Sequence, residues 1–203
     1  MGTGSLTITN LSIGDLKNIS LSIPPGEIVC ISGKSGSGKS RFLRAIADLE
    51  DHEGSISLGT TNQLDITGHQ WRQIVRMVPA ESEWWLDDVE DHFPQPPSSA
   101  LLAEVQLNKE ILQKPVSYLS SGERQRLALL RSLYPEPKVL LLDEPTANLD
   151  DSSRESVENW LVHLIRQQQL PVLWVAHDQA QIQRVADQHW HLEQSQLTHI
   201  GSQ

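Results

Sequence analysis

One octapeptide constrains this chain more than any other feature. Gly33-Lys34-Ser35-Gly36-Ser37-Gly38-Lys39-Ser40 fits the pattern G-x-x-x-x-G-K-[S/T]. Glycines at these spacings let successive backbone N–H groups close around phosphate oxygens, and a helix start behind them favours negative charge. The flanks fit that use. Glu27 to Ser32 (EIVCIS) reads as an apolar strand feeding the loop, and Phe42, Leu43, Ile46 and Leu49 follow at helical spacing. A strand, a phosphate-sized loop and a helix in that order demand an α/β architecture.

The remaining pattern extends it. Leu6 to Ser22 alternates apolar and polar residues, with Leu6 and Ile8 followed by Ile19, Leu21 and Ile23, which predicts short half-buried antiparallel strands before the turn Pro24-Pro25-Gly26. Gly54 and Gly59 bracket a strand Ser55 to Leu58, and Ile74 to Val78 forms another that Pro79 ends. Leu127, Leu130 and Leu133 form a helical stripe. Lys138 to Asp143 (KVLLLD) reads as a strand buried on both faces. Val157, Trp160, Leu161, Leu164 and Ile165 have the spacing of an amphipathic helix, and Pro171 precedes a second buried run, Val172 to Ala176. Trp190 and Leu192 are expected to pair with Leu197 and Ile200 across Gln194-Ser195 in a final hairpin. Strands alternating with helices predict a largely parallel central sheet.

Ala80 to Pro115 differs in character. Glu81, Glu83, Asp87, Asp88, Glu90 and Asp91 give an acidic start, Pro94, Pro96 and Pro97 follow, and a short helix is expected from Ser99 to about Leu107. It reads as an insertion, and the whole as one domain over residues 1–203 with the insertion at about 80–117. With 38% hydrophobic and 21% charged residues a packed core is affordable. The net charge of −10 argues against a protein that coats nucleic acid, and the one cysteine, Cys30, cannot form an intramolecular disulfide and reads as a small buried residue. Met1 to Asn10 lacks a signal-peptide pattern and no run reaches the length of a membrane span, so the chain is expected to be soluble, with any membrane role arising through a partner.

Chemistry is expected at three places. Lys39 would reach the β- and γ-phosphates of a nucleotide, and the Ser40 hydroxyl would ligate Mg²⁺. Asp143 and Glu144 end the apolar run Val139 to Leu142: Asp143 would hold Mg²⁺, directly or through water, and Glu144 would polarise an attacking water. Ser120, with Glu123 three residues on, is a capping box that opens the helix carrying Leu127, and the Ser120-Ser121-Gly122 start is also a site for an anion on a second surface.

With these motifs in this order the chain resembles the ATP-binding cassette, the nucleotide-binding subunit of ABC transporters. The likeness runs through residues 33–40, 119–123, Asp143-Glu144, Asn148-Leu149-Asp150 and His177 after the run Val172 to Ala176. It implies a P-loop NTPase core with a largely parallel sheet, an N-terminal antiparallel β subdomain and a short helical insertion. It also implies Mg²⁺-dependent ATP hydrolysis in a head-to-tail pair of cassettes, either a homodimer or a pair with another cassette. Ser120 and Gly122, with Ser121 and Glu123 beside them, would touch the γ-phosphate across that pair. Asn148 to Asp150 would line the interface, and His177 would sense the γ-phosphate in its own subunit. The implied partner is a polytopic membrane subunit, with the cassette peripheral on the cytoplasmic face. A soluble cassette acting on nucleic acid or in translation is the alternative, against which the acidic balance and short insertion weigh.

The pattern departs from that family in three ways. No Phe, Tyr or Trp precedes Phe42, so the usual aromatic partner of adenine is absent, and Ile13 or a neighbour is expected to give a poorer platform with loose selectivity between ATP and GTP. The signature reads Ser-Ser-Gly-Glu where the family favours Ser-Gly-Gly-Gln. Ala80 stands where the family carries a glutamine, leaving Glu81 as either a substitute or the first acid of a solvated face. Trp84, Trp85, Leu86 and Phe93 are expected to form an exposed partner-binding group. His189, His191 and His199 could face one another on the last hairpin, but no cysteine or carboxylate cluster supports a metal there.

Overall fold

The computed structural model of the protein describes residues 4–202. In chain order the elements are β1 (Leu6–Ile13), β2 (Leu16–Ile23), β3 (Ile28–Ser32), α1 (Lys39–Ile46), β4 (Glu53–Leu58), β5 (Thr61–Asn62), α2 (Gly68–Ile74) and β6 (Val75–Val78). There follow α3 (Ser99–Glu104), α4 (Ser121–Ser132), β7 (Val139–Asp143), α5 (Asp151–Gln168), β8 (Val172–Val175), α6 (Gln179–Val185), β9 (Gln188–Glu193) and β10 (Gln196–Ser202). The expected fold class holds. Strands β2-β1-β4-β5 make an antiparallel sheet, and β10-β9-β3-β8-β7-β6 make a second sheet that is parallel except for its last hairpin.

Side-chain alternation on the parallel strands sorts the interior into two cores. Val29, Ile31, Leu141, Leu173 and Val175 face β1, β2, α1 and the buried Trp71. Ile28, Cys30, Leu140, Leu142, Val172 and Trp174 face α4, α5, α6 and the insertion. Both faces are covered, which is why these strands read as continuous apolar runs.

Several boundaries differ from the sequence reading, each for a local reason. Helix α1 stops at Ile46, because Asp48 turns left-handed at φ 58°, and Leu49 is left exposed. Ile74 ends α2 rather than beginning β6, and α2 itself, capped reciprocally by Thr67 and Gln70, was not anticipated. Helix α3 ends at Glu104, two residues before Gln106 turns left-handed at φ 56°. The final hairpin pairs Leu192 with Leu197 as expected, but Trp190 pairs with His199, and Ile200 sits at a register shift with its side chain exposed. Its turn needs φ above zero at both Gln194 and Ser195, the geometry of a two-residue type I′ loop.

The insertion is better ordered than its composition suggests. Its base is closed where Val116 N–H donates to Asp87 O (2.8 Å) and Val89 N–H to Lys114 O (3.3 Å). Val89, Phe93, Leu102, Val105, Ile111 and Leu112 then enter the core shared with α4 and α5.

Gly54 lies inside β4, not at its edge. It has φ +97°, and a Cβ there would stand 2.6 Å from Asn10 O, at the point where the β1–β4 register shifts. Gly54→Ala is expected to cost about 1–3 kcal/mol, and at this chain length about 2–4 °C of Tm for each kcal/mol. An unchanged thermal melt would show that the bulge relaxes freely.

Candidate functional site

Parallel register decides where the motifs meet. Ile31 pairs with Val175, and Val175 with Asp143, so β3, β8 and β7 end at one level. Ala176 N–H donates to Ile31 O (3.1 Å) and Glu144 N–H to Val175 O (3.1 Å), carrying the alignment one residue past the strands. The loop 33–38, the pair Asp143-Glu144 and His177 are thereby delivered to the same carboxyl edge, the usual ligand edge of such a sheet.

The loop is closed from within. Lys39 is buried, and its Nζ donates to Gly33 O (2.9 Å) and Lys34 O (3.0 Å). Burial holds its ammonium below the usual lysine range, against the opposing pull of Glu144 and Asp143. Gly38 caps α1 in a left-handed conformation, and Gly33 must be glycine because a Cβ would lie 2.4 Å from Leu192 O. A Cβ on Gly36 would meet nothing within 4 Å, so the loop's outer side is open. The Ser37 hydroxyl is buried without a hydrogen-bond partner. An open loop with an orphaned hydroxyl and a lysine held at its rim suits a phosphate chain.

Asp143 is buried at the end of β7. Burial raises its carboxyl above the usual range, a hydrogen bond from Ser40 pulls it down, Glu144 raises it, and Lys39 and His177 lower it. The Ser40 and Asp143 oxygens are a hard donor pair of the kind Mg²⁺ takes, so these residues fit the ion. Glu144 adopts φ 49°, and its Oε1 lies 2.7 Å from His177 Nε2. Lys39, Ser40, Glu144 and His177 line one cleft of about 230 Å³ together with Ser35, Gly36, Gly38 and Arg41. Lys34 points elsewhere, into an ion pair with Glu193 at 3.5 Å.

The residues 120–123 form a separate place. Ser120 Oγ accepts from Glu123 N–H (3.2 Å) while Glu123 Oε2 accepts from Ser120 N–H (2.8 Å), the expected capping box, and Lys114 pairs with Glu123 Oε1 at 3.4 Å. The bond from the Ser120 backbone is the first cause that holds the Glu123 carboxyl below its usual range. Its charge is therefore engaged locally, and Ser120 and Ser121 remain exposed. Gly122 abuts the other expected interface segment: its Cβ would lie 3.3 Å from Asn148 O and from Leu149 Cδ2. Asp150 caps α5, accepting from Ser153 N–H at 3.0 Å. None of these residues lines the cleft of Lys39 and Glu144. Within one chain the two halves stay apart.

A buried network tying the site together escaped the sequence reading. Gln181 Nε2 donates to Thr146 Oγ1 and to Glu158 Oε1, both at 2.7 Å, and Arg184 pairs with Glu158 Oε2 at 2.9 Å. It links the segment after Glu144 to the helix after His177. The available signal was Glu158 itself, a carboxylate set beside Val157 within the apolar stripe of α5.

Other expectations change. Ile13 is buried, so it offers no platform to a base. Glu81 is exposed and absent from the cleft lining. Cys30 is buried, and burial pushes its thiol up, out of reactive range. His189 Nε2 and His191 Nδ1 both bond Ser32 Oγ (2.7 and 2.8 Å), whereas His199 packs on Trp190, 4.9 Å between ring centroids. Strand alternation thus sends His199 to the other face, and among the described residues no cluster suits a metal by its His, Cys, Asp and Glu content.

The aromatic group of the insertion divides. Phe93 is core, Trp84 packs against the core half-buried, and only Trp85 and Leu86 are well exposed. His92 lies edge-on between the two indoles, and the Arg131 guanidinium sits 4.5 and 4.9 Å from their centroids. The His92 ring is fixed beside the two indoles because its Nε2 accepts from the backbone N–H groups of Trp85 and Leu86.

Fold and site together define a P-loop nucleotide-binding domain with a cassette's sequence of motifs. The family model described as ABC transporter matches residues 16–147, and the chain belongs to that family. It is 38% identical over 184 residues to Protein STAR1 of Oryza sativa subsp. japonica, covering 85% of this chain and 53% of that protein. It is 35% identical over 179 residues to the probable iron export ATP-binding protein FetA of Escherichia coli (strain K12), covering 82% of this chain and 80% of FetA. The fold matches the dimeric post-hydrolysis structure of the ATP-binding cassette MJ0796 bound to ADP and Pi, with TM-score 0.82 and 23% identity over 98% of this chain and 100% of that one.

Truncating the two indoles separates packing from exposure. Trp84→Ala should cost about 1–3 kcal/mol in denaturant unfolding, and Trp85→Ala less than about 1 kcal/mol. Equal costs would show that both rings are structural.

Proposed function

We propose that this chain is the ATP-binding and ATP-hydrolysing subunit of a transporter whose membrane-spanning part is a separate polytopic protein. The observation that carries the reading is the common carboxyl edge of β3, β7 and β8. It gathers Lys39, Ser40, Glu144 and His177 in one cleft with Asp143 buried beside Ser40, while residues 120–123 and 148–150 form a second, outward surface. A site split in this way is completed by a second copy or another cassette placed head to tail.

In this reading the backbone from Gly33 to Gly38, with Lys34, Ser35 and Ser37 among its members, encloses the phosphates, and Lys39 turns its ammonium from Gly33 O and Lys34 O toward them. Ser40 and Asp143 hold Mg²⁺, which offsets phosphate charge. Glu144 is the base: its carboxylate takes a proton from the attacking water. His177, in contact with that carboxylate, orients it and meets the terminal phosphate. Ser120, Ser121, Gly122 and Glu123 present the N-terminus of α4 to the nucleotide of the other copy, and Asp150 holds the adjacent turn in place.

Among the described residues no helix is long and apolar enough to cross a membrane. A peripheral place on the cytoplasmic face follows from the proposed partnership, and exposed Trp85 and Leu86 belong to the surface we assign to it. FetA, named for export, supports transport as the setting.

Glu144→Gln should lower turnover by about 10² to 10⁴ while ATP binding persists, and Lys39→Ala should weaken binding itself. The Glu144→Gln protein should form dimers in ATP and return to monomers in ADP, as read by light scattering. A wild-type rate in Glu144→Gln would remove Glu144 as the base. Pull-down of the intact protein should bring a polytopic membrane protein, and recovery of nucleic acid instead would overturn the transport reading.

A further inference from the structure

The phosphate loop accommodates the charged end of a nucleotide, and no residue described so far receives the base. No Phe, Tyr or Trp lines the cleft, the imidazole of His177 is engaged with Glu144 Oε1 at 2.7 Å, and Ile13 is buried. A further planar group lines it away from that pair, the guanidinium of Arg41. Arg41 follows Ser40 in the first turn of α1, and its side chain is 51% exposed.

That guanidinium is held on two sides. Glu50, beyond the end of α1, takes Arg41 Nε at 2.8 Å and Nη2 at 2.6 Å, both on Oε1. The remaining nitrogen lies on the turn between β1 and β2: a Cβ on Gly14 would stand 2.1 Å from Nη1 and 2.9 Å from Cζ. Gly14 has φ +56°, so the turn itself favours the residue whose missing side chain admits the arginine. Leu16, just past this turn, approaches the loop, with its Cδ1 3.2 Å from where a Gly38 Cβ would be. The turn, the guanidinium and the phosphate loop are therefore contiguous. They adjoin the four-stranded sheet, whereas Glu144 and His177 come from β7 and β8.

Charge points the same way. Glu50 also pairs with Arg44, Nε to Oε2 at 3.5 Å, so one carboxylate serves two guanidinium groups and does not fully neutralise that of Arg41. Glu50 holds one edge of this flat, weakly hydrated cation, and such a group stacks on an aromatic ring through a face.

We propose that Arg41 is the base-binding residue of this cleft, its guanidinium stacking on the purine of the bound nucleotide. The inference rests on the nucleotide reading above. Stacking addresses a π face that adenine and guanine share, so it selects purine nucleotides without separating ATP from GTP.

The test is calorimetric titration of the full chain carrying Glu144→Gln, which suppresses turnover, with Mg²⁺ and ATP, GTP or inorganic tripolyphosphate. Adding Arg41→Ala should weaken ATP and GTP about tenfold each and change tripolyphosphate by less than about twofold. Arg41→Lys, which keeps the charge and the pairing with Glu50 but lacks the plane, should lose as much as Arg41→Ala. Retained tripolyphosphate binding reports that the loop is folded. If Arg41→Ala melts non-cooperatively, Arg41→Lys decides alone: a tenfold loss for ATP with tripolyphosphate intact supports stacking. Wild-type ATP affinity in Arg41→Lys, or an equal loss for tripolyphosphate, overturns it, because the cation then serves the phosphates. Failure of the parent protein to bind either ATP or tripolyphosphate would instead overturn the nucleotide reading.

Discussion

Everything at the site depends on the register of three buried parallel strands. Because Ile31, Val175 and Asp143 lie at one level across β3, β8 and β7, residues more than a hundred positions apart emerge side by side. The strands hold this register because both of their faces are buried: a one-residue slip would exchange the side chains of the two cores. The apolar runs that look least functional in the sequence therefore place the residues of the candidate site.

At the edge of that sheet, charge is arranged before any ligand arrives. Lys39 is buried and satisfied by two loop carbonyls, and Asp143 is buried beside the Ser40 hydroxyl. Burial acts against the charged form of both groups, and each opposes this in the other through their attraction. A phosphate chain and a divalent cation would supply what this arrangement lacks, an anion for the lysine and a cation for the aspartate. The Thr146–Gln181–Glu158–Arg184 network lies just behind. Its buried carboxylate is paired and hydrogen-bonded, so the segments carrying Glu144 and His177 are joined by polar contacts as well as by the sheet.

The signature illustrates how a departure in sequence is absorbed locally. Glu123 adds a carboxylate near the helix start, yet that carboxylate accepts the Ser120 N–H and pairs with Lys114. Its charge supports the cap and does not stand free toward the exposed surface that Ser120 and Ser121 present. Gly122 keeps the Asn148-Leu149 backbone close, so this outward surface is built from two segments that chain order separates.

The sequence makes the glycine-rich loop, the carboxylate pair, the capping box and the α/β class legible, because each is written in residue types at short fixed spacings whose physics is local. It did not determine what neighbours what across the chain. Phe93 belongs to the core and Trp85 to the surface although they share one segment, because α4 and α5 cover only part of it. His199 leaves His189 and His191 because antiparallel pairing sets it opposite Trp190. Arg41 reaches Gly14 only because α1 packs beneath the β1–β2 turn. Such contacts follow from register and layer packing, which depend on the whole chain at once, and so they emerge only when it folds.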